Sequence, residues 1–157
     1  MWVLKPSLNA SRSEREAYVK QWAALTISVF ALLLAVNGMF SGSNSSKVLN
    51  GTIEANNYWA WFQAKNVRAT IYEISGSEDK AEDQRADMEA ISAKARASES
   101  VRDAAKSRSP FFSYAGMALQ LSIVLSSAAI LAVMMPLLYA SIAVGGVGLS
   151  LLIYALV

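Results

Sequence analysis

The sequence predicts an all-α membrane protein with three transmembrane helices, one near the N-terminus and two in a C-terminal hairpin, together with an extramembrane antiparallel helical hairpin or coiled coil. Hydrophobic residues make up 54% of the 157 residues and charged residues only 17%, which is too apolar for an ordinary soluble domain. The apolar residues concentrate in two runs without charge, 22–40 and 111–157. The segment between them, 41–110, holds 10 of the 14 Lys and Arg residues and 10 of the 12 Asp and Glu residues. This segregation is typical of membrane proteins.

Residues 22–40 are the first predicted transmembrane helix, and they follow a polar arm formed by residues 1–21. The run has 19 residues without a charge, close to the ~20 that a helix needs to cross a ~30 Å hydrocarbon layer. Trp2 and Trp22 suit an anchor at the headgroup level. A secretory signal peptide is the alternative, but the region before the run is long and no A-x-A site follows it. We therefore expect this segment to stay in the membrane.

The second apolar run has 47 residues from Phe111 onward without Asp, Glu, Lys, Arg or His, which is too long for one span. Pro136 divides it, so we predict two transmembrane helices, 110–135 and 136–157, with a very tight turn at Met135 and Pro136. A single long kinked helix or a partly re-entrant second half is the alternative, because proline in a membrane helix is sometimes only a kink. Pairs of small residues four positions apart predict close helix contacts, within one chain or between chains: Ser122 and Ser126, Ala128 and Ala132, and Ser141 and Gly145.

Outside the membrane we expect a flexible connector over 41–52, because SGSNSSKVLNGT is small, polar and contains glycine. A helical hairpin follows over 53–109. Its first helix carries an apolar seam with the alternating four- and three-residue spacing of a coiled coil. The seam consists of Ile53, Asn57, Ala60, Ala64, Val67, Ile71 and Ile74. Asn57 is its single polar member, and such a residue sets register or oligomer number.

Four aromatic residues stand in five positions beside this seam, and exposing four rings to water on one helical turn would be unusual. At 100° per residue, Tyr58, Trp61 and Phe62 fall beside the seam with Lys65, and Trp59 falls on its other flank. We expect the seam and its flanks to contact another helix or a partner. The predicted interaction residues are Asn57, Tyr58, Trp59, Ala60, Trp61, Phe62, Gln63, Ala64, Lys65, Val67, Ile71 and Ile74.

The first hairpin helix is predicted to end at Ser75-Gly76-Ser77, where glycine suits a left-handed cap and Ser77 suits the N-cap of the next helix. The returning helix, from Glu78 to about Arg108, has its acidic residues early and its basic residues late, which complements the helix dipole. It carries a weak apolar stripe of Met88, Ile91 and Ala95 with Val101. An alanine-rich face at positions 86, 90, 93, 97, 101 and 104 is expected to pack closely.

Residues 55–68 read ANNYWAWFQAKNVR. This stretch resembles the signature of a bacterial family of small three-span membrane proteins of unknown function, whose members read roughly A-N-x-x-W-A, two aromatic residues, Q-A-K, any residue, an aliphatic and a basic residue. Its W-A-x-x-Q-A-K part is fairly specific. The order of elements is similar too, with one apolar span, a charged helical region and two closely spaced apolar spans. The resemblance implies fold and membrane location, and it carries no activity or catalytic residue.

The composition limits the chemistry that is open to this chain. Cysteine and histidine are both absent, which removes thiolate chemistry, Cys-ligated metals and the commonest general base. The acidic residues 78–89 lie in helical sequence without the form of a calcium loop, so we expect no metal. A stacking platform for nucleic acid built from Trp59, Trp61, Lys65 and Arg68 is disfavoured by the acid-rich helix beside it. We therefore predict no catalytic residue, no cofactor and no nucleic-acid partner.

The resulting hypothesis is a non-enzymatic membrane scaffold or accessory subunit, located in the bacterial inner membrane. It would assemble through its coiled-coil hairpin and spans, either as a homo-oligomer or in a larger membrane complex, with lipid and membrane protein subunits as partners. Four Lys or Arg residues precede the first span, which favours a cytoplasmic N-terminus, whereas five basic residues at 94–108 precede the second span on the opposite side and favour the reverse. Our prediction is a cytoplasmic N-terminus. The alternative is an oligomeric pore or small-molecule carrier, for example one lined by Ser122, Ser126 and Ser141. A coupled transporter is disfavoured because the spans hold no charged residue.

Overall fold

A computed structural model describes residues 12–157, and this part of the chain folds into three α-helices with no strand. Helix α1 is Arg12–Ile74, α2 is Glu78–Ala132 and α3 is Met135–Leu156. All three are long and apolar enough to cross a membrane. The helices contribute to two compact units. The hairpin unit is Ser43–Arg108, and the apolar unit combines the described residues up to Gly42 with Ser109–Val157.

The turn between α1 and α2 has the predicted cap. Gly76 is in the left-handed region with φ 75°, where glycine has no steric penalty. Its N–H donates to the carbonyl of Glu73 at 3.0 Å, and the N–H of Ser77 donates to the carbonyl of Tyr72 at 2.9 Å. These two bonds form a Schellman motif, which satisfies the last carbonyls of α1. The predicted end of the first hairpin helix is therefore confirmed.

In the hairpin unit, α1 and α2 run antiparallel and each buries one stripe. The stripe of α1 has alternating four- and three-residue spacing, and we call it the inner face. It consists of Asn44, Val48, Gly51, Ala55, Tyr58, Phe62, Lys65, Ala69 and Tyr72, all buried or half-buried. The matching stripe of α2 is Ala81, Gln84, Met88, Ile91, Ala95, Ser98, Arg102 and Ala105. Both stripes repeat every seven residues, as in an antiparallel coiled coil.

The two helices of the C-terminal apolar run meet at a tight turn. Val133 has φ 53°, and the N–H of Met134 donates to the carbonyl of Ala129 at 3.2 Å, as in a Schellman motif. Pro136 lies in the first turn of α3, where its missing N–H costs no hydrogen bond. The turn thus lies at Val133 and Met134, two residues before the predicted Met135 and Pro136, because the proline begins a helix instead of bending the chain.

Small residues bring the helices of the apolar unit together. One buried cluster joins Phe112 and Ala115 of α2 to Leu152 and Ala155 of α3. A second joins Ala23 of α1 to Ala129 of α2 and Leu138 of α3. The buried residues of α3 form one face, and four of the six are serine, glycine or alanine: Leu138, Ser141, Gly145, Gly148, Leu152 and Ala155. Of the predicted small-residue pairs, Ser122 with Ser126 and Ser141 with Gly145 are therefore packed within one chain, whereas Ala132 is exposed and Ala128 only half-buried.

The prediction of a flexible connector over 41–52 is wrong, because α1 is helical throughout this segment. Two of its small and polar residues, Asn44 and Gly51, pack against α2. Nδ2 of Asn44 donates to the carbonyl of Ala105 at 2.8 Å, and Gly51 is buried against α2. Residues 12–21 of the predicted polar arm are also helical, while the remainder of the arm, with Trp2, lies outside the described residues.

Candidate assembly surface

The predicted seam lies on the side of α1 that faces away from α2. At 100° per residue it points nearly opposite to the inner face, and we call it the outer seam. Its side chains are exposed at every position, with Val67 57%, Ile71 58% and Ile74 83% exposed. Hydrophobic residues at coiled-coil spacing are thus left uncovered along the hairpin. The outer seam consists of Ile53, Asn57, Ala60, Ala64, Val67, Ile71 and Ile74.

The aromatic residues divide between the two sides of α1. Tyr58, Trp59 and Phe62 are half-buried toward α2, and the rings of Trp59 and Phe62 meet edge to face at 5.5 Å. Nε1 of Trp59 donates to Oε1 of Glu99 at 3.1 Å. Trp61 instead is 50% exposed beside the outer seam. The predicted aromatic patch is therefore mainly part of the hairpin itself, and only Trp61 remains on the outer surface.

The polar members of the predicted set also separate. Nζ of Lys65 donates to Oδ2 of Asp87 at 2.6 Å, and its side chain is 14% exposed, so Lys65 ties α1 to α2. Gln63 and Asn57 are exposed. The structure therefore places Asn57, Ala60, Trp61, Gln63, Ala64, Val67, Ile71 and Ile74 on the outer surface, and Tyr58, Trp59, Phe62 and Lys65 toward α2.

Gly51 sets the distance between α1 and α2 in the hairpin unit. A Cβ atom at this position would lie 2.9 Å from Cβ of Arg102 and 3.0 Å from the carbonyl oxygen of Ser98, closer than such atoms ordinarily approach. The buried residues Ala55, Ala69 and Ala95 continue this close contact along both helices. Small side chains at regular spacing therefore let the backbones approach closely.

The buried face of the returning helix α2 agrees with the prediction only in part. Ile91 and Ala95 are buried and Met88 is half-buried, as predicted. Val101 is 56% exposed, and the alanine-rich face at positions 86, 90, 93, 97 and 104 is exposed. Alanine favours helix formation at any position. The many alanines of α2 therefore indicate a helix, but they do not indicate which of its sides is packed.

The outer seam has no charged residue, and the charged residues of the hairpin unit lie at other positions of α1 and α2. Near the turn, Glu73 pairs with Arg85 beside a groove of about 750 Å³ that is also lined by Glu78 and Glu82. In the described part of the chain no three acidic side chains are grouped closely enough to hold a metal ion. Farther along α2, the hydrogen bond from Nε of Arg102 to Oδ1 of Asp103, 2.8 Å long, lowers the pKa of the Asp103 carboxyl.

Three serines form a hydrogen-bonded cluster between α2 and α3. Ser122, Ser126 and Ser141 are fully buried. Oγ of Ser122 donates to the carbonyl of Ser141 at 2.8 Å, and Oγ of Ser141 lies 2.6 Å from Oγ of Ser126. Oγ of Ser141 is also 2.9 Å from the carbonyl of Ser122. These hydroxyls stabilise the contact between α2 and α3, because each has its hydrogen-bond partner on the facing helix.

Comparison with known proteins finds one family. The family model described as "Domain of unknown function (DUF4337)" matches the chain over residues 19–84 and over residues 70–157. Together the two matches cover residues 19–157, which include α2, α3 and most of α1. None of the curated proteins and none of the solved structures matches the chain.

Proposed function

This chain belongs to the DUF4337 family, a domain family of unknown function, and we propose that it is a membrane-anchored assembly protein without enzymatic activity. Its partner is a second copy of itself or another membrane subunit that it joins as an accessory subunit. The observation that carries this proposal is the outer seam, in which apolar residues at coiled-coil spacing are exposed on a helix that already packs its other side. A soluble surface rarely carries such a stripe unless a partner covers it.

The exposed surface of the apolar unit supports a position in the membrane. Large apolar side chains point outward on all three helices, among them Leu32 at 66%, Met39 at 76% and Leu131 at 87% exposure. In water this surface would be strongly unfavourable, whereas lipid tails solvate it. We place the protein in the bacterial inner membrane with its N-terminus in the cytoplasm. The basic residues before the first apolar run favour this orientation, and the resemblance of residues 55–68 to a bacterial signature supports a bacterial origin.

The arrangement of polar groups favours assembly over transport or catalysis. The serines that offered a lining for a pore are committed to each other in the hairpin of α2 and α3. The acids and bases of the hairpin unit form exposed ion pairs such as Glu73–Arg85. Hydroxyls and ion pairs of this kind hold helices together, which is the role we assign to them.

The proposal is tested by the mass of the particle extracted from native membranes. Full-length tagged chain is solubilised in a mild detergent, and its mass and composition are measured by native mass spectrometry. We expect a complex larger than one chain, and we expect Ile71→Asp to dissociate it because a charge would enter the seam. Asn66→Asp is the matched control, since Asn66 is exposed on the same helix away from the seam. A wild-type particle of one chain alone would refute the proposal.

A further inference from the structure

We propose that the occupant of the outer seam is a second copy of the chain, which packs there as a parallel, in-register coiled coil of two α1 helices. This inference rests on the proposed function and names its partner. Two copies inserted by the same route have the same sidedness, so their α1 helices leave the membrane in the same direction. Around the two-fold axis of such a pair, each seam residue meets its own counterpart.

An in-register pair imposes a strict condition, because any charged seam residue would face an identical charge. The outer seam meets this condition, since none of its seven residues is charged. The spacing also defines the heptad. Ile53, Ala60, Val67 and Ile74 take the d positions, and Asn57, Ala64 and Ile71 take the a positions. The seam is therefore suited to face a copy of itself.

Asn57 is the feature that most favours two copies. A single asparagine at an a position selects register and oligomer state in parallel coiled coils. Its amide both donates and accepts, so two Asn57 side chains satisfy each other across the axis. The other a and d residues do not select two strands, because Ala60 and Ala64 are small and fit many packings, and β-branched residues at both a and d favour three or more strands. The choice of two copies therefore depends on Asn57. Asn57 is exposed, so its amide is accessible to a second chain.

The residues flanking the seam are also compatible with a parallel pair. In this geometry a g residue of one helix faces the e residue of the next heptad on the other helix. The g positions Asn56, Gln63 and Thr70 are exposed and uncharged. They face the e positions Trp61, Arg68 and Ser75, which are exposed as well. No like charges oppose each other, and the Gln63 amide oxygen is an acceptor for the Arg68 guanidinium of the second copy.

Single-cysteine cross-linking tests this arrangement directly, because the chain contains no cysteine. Ala60→Cys and Ala64→Cys are introduced separately into the full chain, which is expressed with two tags of different length and oxidised in native membranes. Facing Cβ atoms in a tight coiled coil approach the ~4 Å separation that a disulfide needs. We expect both variants to form disulfide-linked dimers that contain both tags, at least tenfold more than Asn66→Cys. Asn66 is exposed on the same helix away from the seam.

Two further variants test register and direction. Ile53→Cys and Ile74→Cys lie at opposite ends of the seam, ~32 Å apart at 1.5 Å per residue. A parallel in-register pair links each to itself, whereas an antiparallel pair links neither to itself. Failure of Ala60→Cys and Ala64→Cys to exceed the Asn66→Cys control would overturn the inference. Native mass spectrometry then separates the two ideas: a large particle with one copy of this chain preserves the proposed assembly function, and a single chain alone ends both.

Discussion

The ring of Phe30 occupies the space that a Cβ atom on residue 145 would need, so the absence of a side chain at Gly145 lets α1 and α3 meet in the apolar unit. Phe30 is itself buried at 8% exposure. A methyl group at position 145 would overlap the ring and force one helix to move. Close contact at this point is therefore a property of a glycine and an aromatic residue acting together.

We predict that Gly145→Ala destabilises the apolar unit by ~1–3 kcal/mol, the usual range for overpacking a well-filled core. The change in the free energy of unfolding is measured in detergent micelles, with circular dichroism as the signal. Gly146→Ala is the matched control, because nothing lies within 4 Å of a Cβ at that position. It should be neutral or slightly stabilising. Phe30→Leu combined with Gly145→Ala should recover part of the loss, and equal effects at both glycines would contradict the packing argument.

Gly51→Ala should separate α1 from α2 in the hairpin unit, since the added methyl group would meet Arg102 and Ser98. We expect a loss of ~1–3 kcal/mol from this strain, reduced by up to ~1 kcal/mol from the better helix propensity of alanine. Gly42→Ala has the same propensity gain with open space around it. It should therefore raise stability. Hydrogen exchange of α2 amides in the hairpin unit reports the difference, and protection unchanged by Gly51→Ala would count against this geometry.

Val133→Gly should stabilise the turn between α2 and α3. Val133 has φ 53°, and a β-branched residue in this region is strained by roughly 1–2 kcal/mol. Glycine removes that strain and lowers the gain through the larger entropy of its unfolded state, so we expect a net increase of ~0.5–1 kcal/mol. Gly76 has the same cap role at the end of α1 with φ 75°. Gly76→Ala should lower stability, and opposite signs for the two variants are the diagnostic result.

Ser141→Ala should weaken the contact between α2 and α3. Its hydroxyl contacts both Ser122 and Ser126, and hydrogen bonds between membrane helices contribute ~0.6–1.7 kcal/mol each. We expect the free energy of unfolding in sodium dodecyl sulfate to fall by about 1–2 kcal/mol. The substitution changes neither the length nor the charge of the chain. Ser127→Ala is the control, because Ser127 bonds only to the carbonyl of Ile123 in its own helix. Similar losses for the two variants would refute the role of the cluster.

Local rules predict much of the fold. The cap at the end of α1 is predictable from Gly76, because glycine adopts the left-handed region without steric penalty. Pro136 correctly indicates two helices in the C-terminal run, although it begins the second helix instead of making the turn. The positive φ of Val133 is not predictable from the sequence, since a valine gives no signal for this conformation. The segment 41–52 resembles a connector because asparagine and glycine are common in loops, whereas Asn44 and Gly51 pack here against a neighbouring helix.

The inner face was missed for a related reason. A search for hydrophobic residues at heptad spacing finds the outer seam, since Ile53, Ile71 and Ile74 are aliphatic. The inner face uses the same spacing with smaller or less typical residues, such as Gly51 and Lys65. Its signal was the repeat of seven from Gly51 through Tyr58 and from Ala55 through Ala69, which hydrophobicity alone does not detect. Which of two heptad stripes faces α2 depends on tertiary packing, so sequence spacing alone does not decide it.

The fully buried positions between α1 and α2 of the hairpin unit are mostly alanine and glycine, and the larger side chains between these helices are mostly half-buried. The hairpin therefore leaves part of its nonpolar surface uncovered by its own folding. Its cohesion is correspondingly modest. A second chain bound on the far side would add to that cohesion through mass action. The melting temperature of the hairpin unit would therefore rise with the concentration of the protein, so its expression level would affect the stability of this part of the molecule.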